Sequence, residues 1–317
     1  MINQLNTPTL DGNSTVEKRQ ELAAYFKNTW STYESLFSLI NNDDAYFLRP
    51  ESLRHPLVFY FGHTATFYVN KLILGKYINQ RINSRLEAIC AVGVDEMSWD
   101  DLNSEHYDWP SVDEVRGYRK QVYNLVLNLI DTMELILPIK QDSLAWIILM
   151  GCEHERIHLE TSSVIMRMLP LKWLTNTEQW QPCLHSSAAP ENELIPVKSQ
   201  TLSLGKKAQD NTFGWDNEYG DQSVDVDDFS AAKFLVSNHE YMGFVEAGGY
   251  QSKQFWCQEG LAWLEFTQAK MPRFWSCSAG QYYQRNLTSE MPLPLDWPVE
   301  VNCLEAKAFC QWRQEST

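Results

Sequence analysis

The sequence predicts an α+β protein of two domains, with a four-helix bundle over 1–172, a linker over 173–197 and a mixed α+β domain over 198–317. Three observations carry this. The chain has 317 residues, more than one ordinary domain needs. Upstream of Pro170, apolar residues recur at steps of three and four, the period of an amphipathic helix. From about residue 198 the pattern changes to short β-like pieces, Gly-rich turns and isolated short helices.

The first helix is expected over 15–41. Ser14 followed by Glu17 has the form of a capping box, and Leu22, Tyr25, Phe26, Trp30, Tyr33, Phe37 and Ile40 make its apolar stripe. A second helix is expected from Leu57 to Gly75, with the glycine as its stop. The polar DEMSWDDLNSEHYDWP stretch reads as a long connecting loop. A third helix opens at Ser111, again with a glutamate three positions on, and runs to about Leu137 before Pro138. The fourth starts after Asp142 as N-cap and continues to Leu169, where Pro170 ends it. Four long helices with one long crossover describe a four-helix bundle, a fold that builds sites from facing core side chains. Beyond the linker, TLSLG and KFLVS read as strands, FGWDNEYGD and EAGGY as turns, and NCLEAKAFCQW as a helix.

Composition narrows the function. A hydrophobic share of 44% belongs to a folded chain, and the 41 acidic against 26 basic residues give a net charge of −15. Such a surface repels phosphate backbones and anionic lipid, which argues against nucleic-acid and membrane-surface partners. No apolar run reaches the length of a membrane span and the N-terminus has no secretory h-region, so a cytoplasmic protein is expected. The seven cysteines are scattered and include no CxxC pair, as in reduced thiols.

The main chemical signal is HERIHLE at 154–160. His154 and His158 lie four apart on one helical face, so two imidazoles can converge on one metal ion. A third ligand must come from another helix. His63, in mid-helix between Phe59 and Phe67, is the candidate, because an unpartnered imidazole would be costly there. Together they make a three-histidine site with coordination positions left open. Gly151, one turn before His154, leaves room for a ligand or a bulky neighbour. Glu160 projects away from this stripe and could orient a ligand or form a salt bridge. Arg54 is a candidate to meet a substrate carboxylate, with a helix-edge ion pair as the alternative. Cys152, Cys303 and Cys310 are expected to be packing residues.

HERIH also matches HExxH, the zinc-peptidase signature in which the glutamate, here Glu155, is the general base. The longer HExxHxxGxxH form fails, since Thr161 and Val164 occupy the Gly and His positions. A non-catalytic bundle that binds metal or a partner is the third reading.

RHPLVFYFGHTATFYVNKL (54–72) with MGCEHERIHLETSSVIMRMLP (150–170) resembles the DinB-like iron-binding domain of the sulfoxide synthases of thiol-histidine biosynthesis. FGWDNEYG (213–220), FLVSNHEYMGFVEAGGY (234–250) and DWPVEVNCLEAKAFCQW (296–312) resemble the formylglycine-generating-enzyme-like (C-type-lectin-like) domain that follows it in that family. VGVDEMSWDD (92–101) and WPSVDEVRGYRKQVY (109–123) look most like the 5-histidylcysteine sulfoxide synthases of ovothiol biosynthesis, with the ergothioneine enzymes as the nearer alternative. The resemblance implies a mononuclear non-haem Fe(2+) enzyme with cysteine, histidine and O2 as substrates. It places the iron on His63, His154 and His158 and a second-shell role on Glu160. The resemblance also implies that the family's catalytic tyrosine lies beyond Thr317, so the chain is expected to be a partial form of reduced activity, with exposed strand edges.

Overall fold

The computed structural model describes residues 5–91 and 107–316. The stretch read as a long loop falls largely outside these residues, as does VGVDEMSWDD. Among the described residues the chain divides into two compact units, 1–181 with 205–221, and 182–204 with 222–317.

The first unit is helical. It contains α1 (Thr15–Phe37), α2 (Leu57–Leu74), the short α3 (Ser84–Ile89), α4 (Val112–Thr132) and α5 (Leu144–Arg167). Both α1 and α2 pack along α5, while α4 packs on α2 and α1. The core is rich in aromatics, with Phe26, Tyr33, Phe37, Phe59, Phe61 and Tyr68 all buried.

Helix starts follow the sequence closely, because capping is a local interaction. The side chain of Ser14 accepts from Glu17 N, and Ser111 with Glu114 forms a complete capping box. At α5 the cap is Ser143 rather than Asp142, its Oγ accepting from Trp146 N. Helix ends depart further. The first helix stops at Phe37, and Ile40 instead pairs with Leu174 in a β-bridge. After Leu74, Gly75 keeps a right-handed conformation, and the left-handed residue is Lys76 (φ 61°). Gly75 serves close packing instead, since a Cβ there would lie 2.7 Å from Ile147 Cδ1. The third helix ends at Thr132, short of Leu137, where the Arg19 guanidinium of α1 takes the carbonyls of Ile130 and Met133. A long-range donor thus satisfies acceptors that every helix C-terminus leaves open.

Residues 205–221, which include FGWDNEYG, fold onto the helical unit. Leu10 N donates to Asn211 O at 2.6 Å, and Phe213 packs on Trp146 with ring centroids 4.8 Å apart.

In the second unit, β1 (Leu194–Val197) pairs antiparallel with β4 (Phe229–Ala232), and β2 (Gln200–Leu204) with β3 (Gln222–Val226). A third sheet runs β5 (Trp275–Ser278), β6 (Gln281–Arg285) and β7 (Glu290–Pro292), all antiparallel. Three helices, α6 (Asn238–Glu246), α7 (Gln258–Thr267) and α8 (Cys303–Ser316), complete it. Its core gathers Tyr241, Phe244, Tyr250, Trp256, Trp275 and Phe309. KFLVS is not a strand. The ladder ends at Ala232, and Ser237 is diverted into a capping box with Glu240 at the start of α6. The expectation that Cys303 and Cys310 are core residues also fails. Both are exposed, because α8 buries Ala308 and Phe309 on its other face.

Candidate metal centre

The site is built on α2 and α5, which run antiparallel. They pack tightly at Gly151, where a Cβ would lie 2.1 Å from Tyr68 Cε1. The missing side chain therefore makes room for the bulky neighbour that lets the two backbones come together. Moving from this contact toward the start of α2 and the end of α5, Phe67 meets His154 and His63 meets both His154 and His158.

The structure brings His63, His154 and His158 together. Their ring centroids lie 4.5–5.0 Å apart, and one ligand nitrogen from each lies within 4.8 Å of the others. Donors at right angles around an ion bound at about 2.1 Å stand roughly 3 Å apart, so small side-chain rotations suffice. Each ring is held by its surroundings. Phe67 stacks face to face on His154 (3.7 Å, 9°), and Phe59 stacks on His63 (5.0 Å, 21°). The backbone carbonyl of Cys90, just after α3, can only accept, so His63 Nδ1 donates to it at 2.7 Å. That bond selects the tautomer whose lone pair is on Nε2, the usual way a metal-binding imidazole is fixed.

The electrostatics suit a cation. Burial, with the neighbouring His158 and His63, holds the pKa of His154 well below its ordinary value. His158 is pushed down to about 3 by burial, with help from His63 and Arg54. Both rings are therefore neutral at pH 7, the form that coordinates. Their Nδ1 atoms are buried and make no hydrogen bond. Three imidazoles without a thiolate suit Fe(2+), and also Zn(2+), with positions left open.

Glu155 points elsewhere. It is fully buried, and its Oε1 pairs with Arg119 Nη2 at 3.0 Å while Tyr68 and Thr64 donate to it at 3.4 Å. Arg119 also holds Glu34 (2.6 Å), Phe61 O (2.9 Å) and Thr64 Oγ1 (2.8 Å), and lies over the Trp30 ring. This glutamate locks α5 to α4 and α2 and is not placed as a water-activating base.

Glu160 is exposed on α5. Since Nδ1 of His158 has no hydrogen bond, Glu160 does not brace that ring here. It shares with Arg54 a depression of about 550 Å³, also lined by Glu51, Leu53, Val164 and Met168, that none of the three histidines lines. Cys152 is buried against the Tyr68 hydroxyl (3.5 Å), a packing role. Sequence reasoning missed Arg119 and the Cys90 carbonyl. An arginine beside the apolar stripe of α4 is a visible signal for the first, but a backbone carbonyl has none.

Residues 25–162 match the DinB superfamily, and residues 184–316 match the sulfatase-modifying factor enzyme 1-like domain. The chain is 26% identical over 304 residues to ergothioneine biosynthesis protein 1 of Schizosaccharomyces pombe, covering 82% of this chain and 35% of that protein. It is 33% identical over 110 residues to hercynine oxygenase of Mycobacterium tuberculosis, covering 34% of this chain and 25% of the relative. With the hercynine oxygenase of Mycolicibacterium smegmatis the identity is 24% over 200 residues, 63% of this chain and 44% of the relative. The chain thus spans well under two thirds of the length of the relatives it matches. No described helix is long and apolar enough to cross a membrane.

Proposed function

We propose that this chain, which joins a DinB-superfamily helical domain to a sulfatase-modifying factor enzyme 1-like domain, holds Fe(2+) on His63, His154 and His158 and serves a sulfoxide synthase. The reaction joins the sulfur of cysteine to an imidazole carbon of histidine. Thiol, imidazole C–H and a dioxygen molecule give the C–S bond, the sulfoxide oxygen and water, so the atoms balance. The observation that carries this reading is the convergence of three imidazoles from α2 and α5 of the DinB-like unit, with His154 and His158 held neutral by their surroundings. Relatives named ergothioneine biosynthesis protein 1 and hercynine oxygenase support the reaction class. The ovothiol-type choice of plain histidine rests on the resemblance of 92–101 and 109–123.

When bound, the ferrous ion supplies redox chemistry toward dioxygen and an acidified substrate thiol. The chain's own residues do the rest. The imidazoles occupy part of the coordination shell and leave the remainder open. Phe59 and Phe67 stack on His63 and His154 and hold their ring planes, and the Cys90 carbonyl fixes the His63 tautomer. Engagement of Glu155 by Arg119 weighs against the zinc-peptidase reading. All seven cysteines are free thiols, which suits a reducing compartment such as the cytoplasm.

Metal analysis of protein purified without oxygen tests the proposal, and stoichiometric iron lost in His63→Ala is the expected result. Incubation with Fe(2+), oxygen, cysteine and histidine, against a parallel arm with trimethylated histidine, should give a sulfoxide adduct by mass spectrometry. Zinc alone, or iron retained at full affinity by His63→Ala, would overturn it.

A further inference from the structure

Helix α2 carries His63, Phe67 and Lys71 at steps of four, one above another on a single face. The first two meet the imidazole cluster. His63 reaches His154 and His158, and Phe67 lies flat on His154 with ring centroids 3.7 Å apart and planes 9° apart. Lys71 leans back toward the start of the helix, as helical side chains do, and its Nζ lies over the Phe67 ring, 5.1 Å from the centroid. A gap of 3.7 Å has no room for an ammonium, so His154 and Lys71 cover opposite faces of Phe67. A three-layer stack thus runs from a positive charge to a candidate metal ligand.

The charge in that stack is not neutralised. Among the described residues Lys71 makes no ion pair, whereas Lys18, Lys198, Lys207 and Lys233 each hold a carboxylate at 2.5–2.9 Å. Its partner is a ring face, whose quadrupole attracts the ammonium without removing its charge. Lys71 is half-buried, and Phe67 fills the space between it and His154, so its field crosses packed protein where screening is weaker than in water.

We propose that Lys71, acting across Phe67, is a positioning residue that loosens the hold of the imidazole cluster on metal and favours the ferrous over the ferric charge. This rests on the metal-centre reading above and adds what sets the charge state of that site. A fixed positive charge opposes a nearby cation in proportion to the cation's own charge, so the same ammonium opposes a 3+ ion more than a 2+ ion. The ferrous state is the one that meets dioxygen in mononuclear non-haem sites, and a cation held behind the ligand shell keeps the centre in that state.

The test uses two variants of the full chain. Lys71→Met keeps an unbranched stem over Phe67 and removes the charge, while Lys71→Arg keeps both. Under anaerobic conditions Fe(2+) is titrated in competition with a ferrous chelator. Lys71→Met should bind Fe(2+) roughly three- to ten-fold more tightly than the parent, the scale of a unit charge acting on a dication across one aromatic ring, and Lys71→Arg should match the parent. In a mediated redox titration of the loaded proteins the Fe(3+)/Fe(2+) potential of Lys71→Met should fall. A three-fold change in preference between the two charges corresponds to about 28 mV, at about 59 mV per tenfold change. If Lys71 served packing alone, its loss would weaken binding and leave the potential where it was. The proposal is overturned if Lys71→Met binds Fe(2+) no more tightly than the parent, if its potential does not fall, or if Lys71→Arg behaves like Lys71→Met. A parent chain that holds iron while Lys71→Met shows no gain removes only the role of Lys71. Failure of the parent to hold iron removes the metal centre and this inference with it.

Discussion

Glu155→Gln separates the role the structure gives this residue from the role the HExxH pattern suggests. The substitution keeps shape and removes one charge from a pair whose members are 1% and 0% exposed. Removing one partner of a buried ion pair costs about 3–5 kcal/mol, because the remaining charge is left uncompensated. Arg119 is not stranded, since Glu34, Phe61 O and Thr64 Oγ1 remain within 2.9 Å. Burial also raises the Glu155 carboxyl above its ordinary pKa against the pull of Arg119, so part of the loss is recovered when the charge is gone. The low end applies, about 3 kcal/mol, or a fall in Tm of roughly 6–12 °C for a unit of this size. Thermal and urea unfolding measure this, with Arg119→Met and the double variant completing the cycle. The two substitutions together should cost less than the sum of each alone. Iron content at a temperature where the variant is folded should be unchanged, because Glu155 does not touch the imidazole cluster. A variant as stable as the parent, with binding or turnover lost, would refute the structural role and return the residue to the metal.

Other outcomes follow from the same geometry. Gly62→Ala would place a Cβ 2.5 Å from Cys90 Sγ and shift the carbonyl that orients His63, and loss of such an outer partner typically weakens metal affinity about 10–100-fold, measurable by competition with a chelator. Gly151→Ala forces Tyr68 out of its place and should destabilise by about 1–3 kcal/mol in urea. Lys76→Gly relieves a left-handed residue and should raise stability by about 0.5 kcal/mol, seen as a higher urea midpoint. The metal-free protein should also lose stability in acid. His158 titrates near 3 when folded and near about 6.5 when unfolded, so between these values the unfolded chain binds the extra proton. Its contribution is fully present above about pH 6.5 and falls by up to about 1.4 kcal/mol per pH unit below it. Urea midpoints followed down to about pH 5 should show a shallower fall in His158→Gln, and an identical slope would contradict the depressed pKa.

Local signals made much of the helical unit legible. Ser14 and Ser111 begin helices where a hydroxyl finds a nearby N–H, and Val115, Tyr118 and Val122, spaced at three and four along α4, are buried as that spacing requires, whereas Leu125 and Leu129 of the same expected stripe are only half-buried. The spacing of His154 and His158 puts both on one face, and their encounter with His63 was readable because an imidazole amid the aromatics of α2 needs a partner. Helix ends were less legible. Arg19 capping α4 and Leu174 drawing Ile40 away from α1 act across more than a hundred residues, beyond the reach of a periodicity.

The amino-acid order alone determined which residues could serve a metal, because residue type and helical face are properties of short segments. Tertiary packing decided which of them do different work. The Gly151–Tyr68 contact lets α2 and α5 pack closely, Cys90 supplies a carbonyl to one ring, and Arg119 claims the glutamate that the HERIH pattern offers as a base. Each of these depends on distances between segments far apart along the chain, and such distances exist only once the helices have packed.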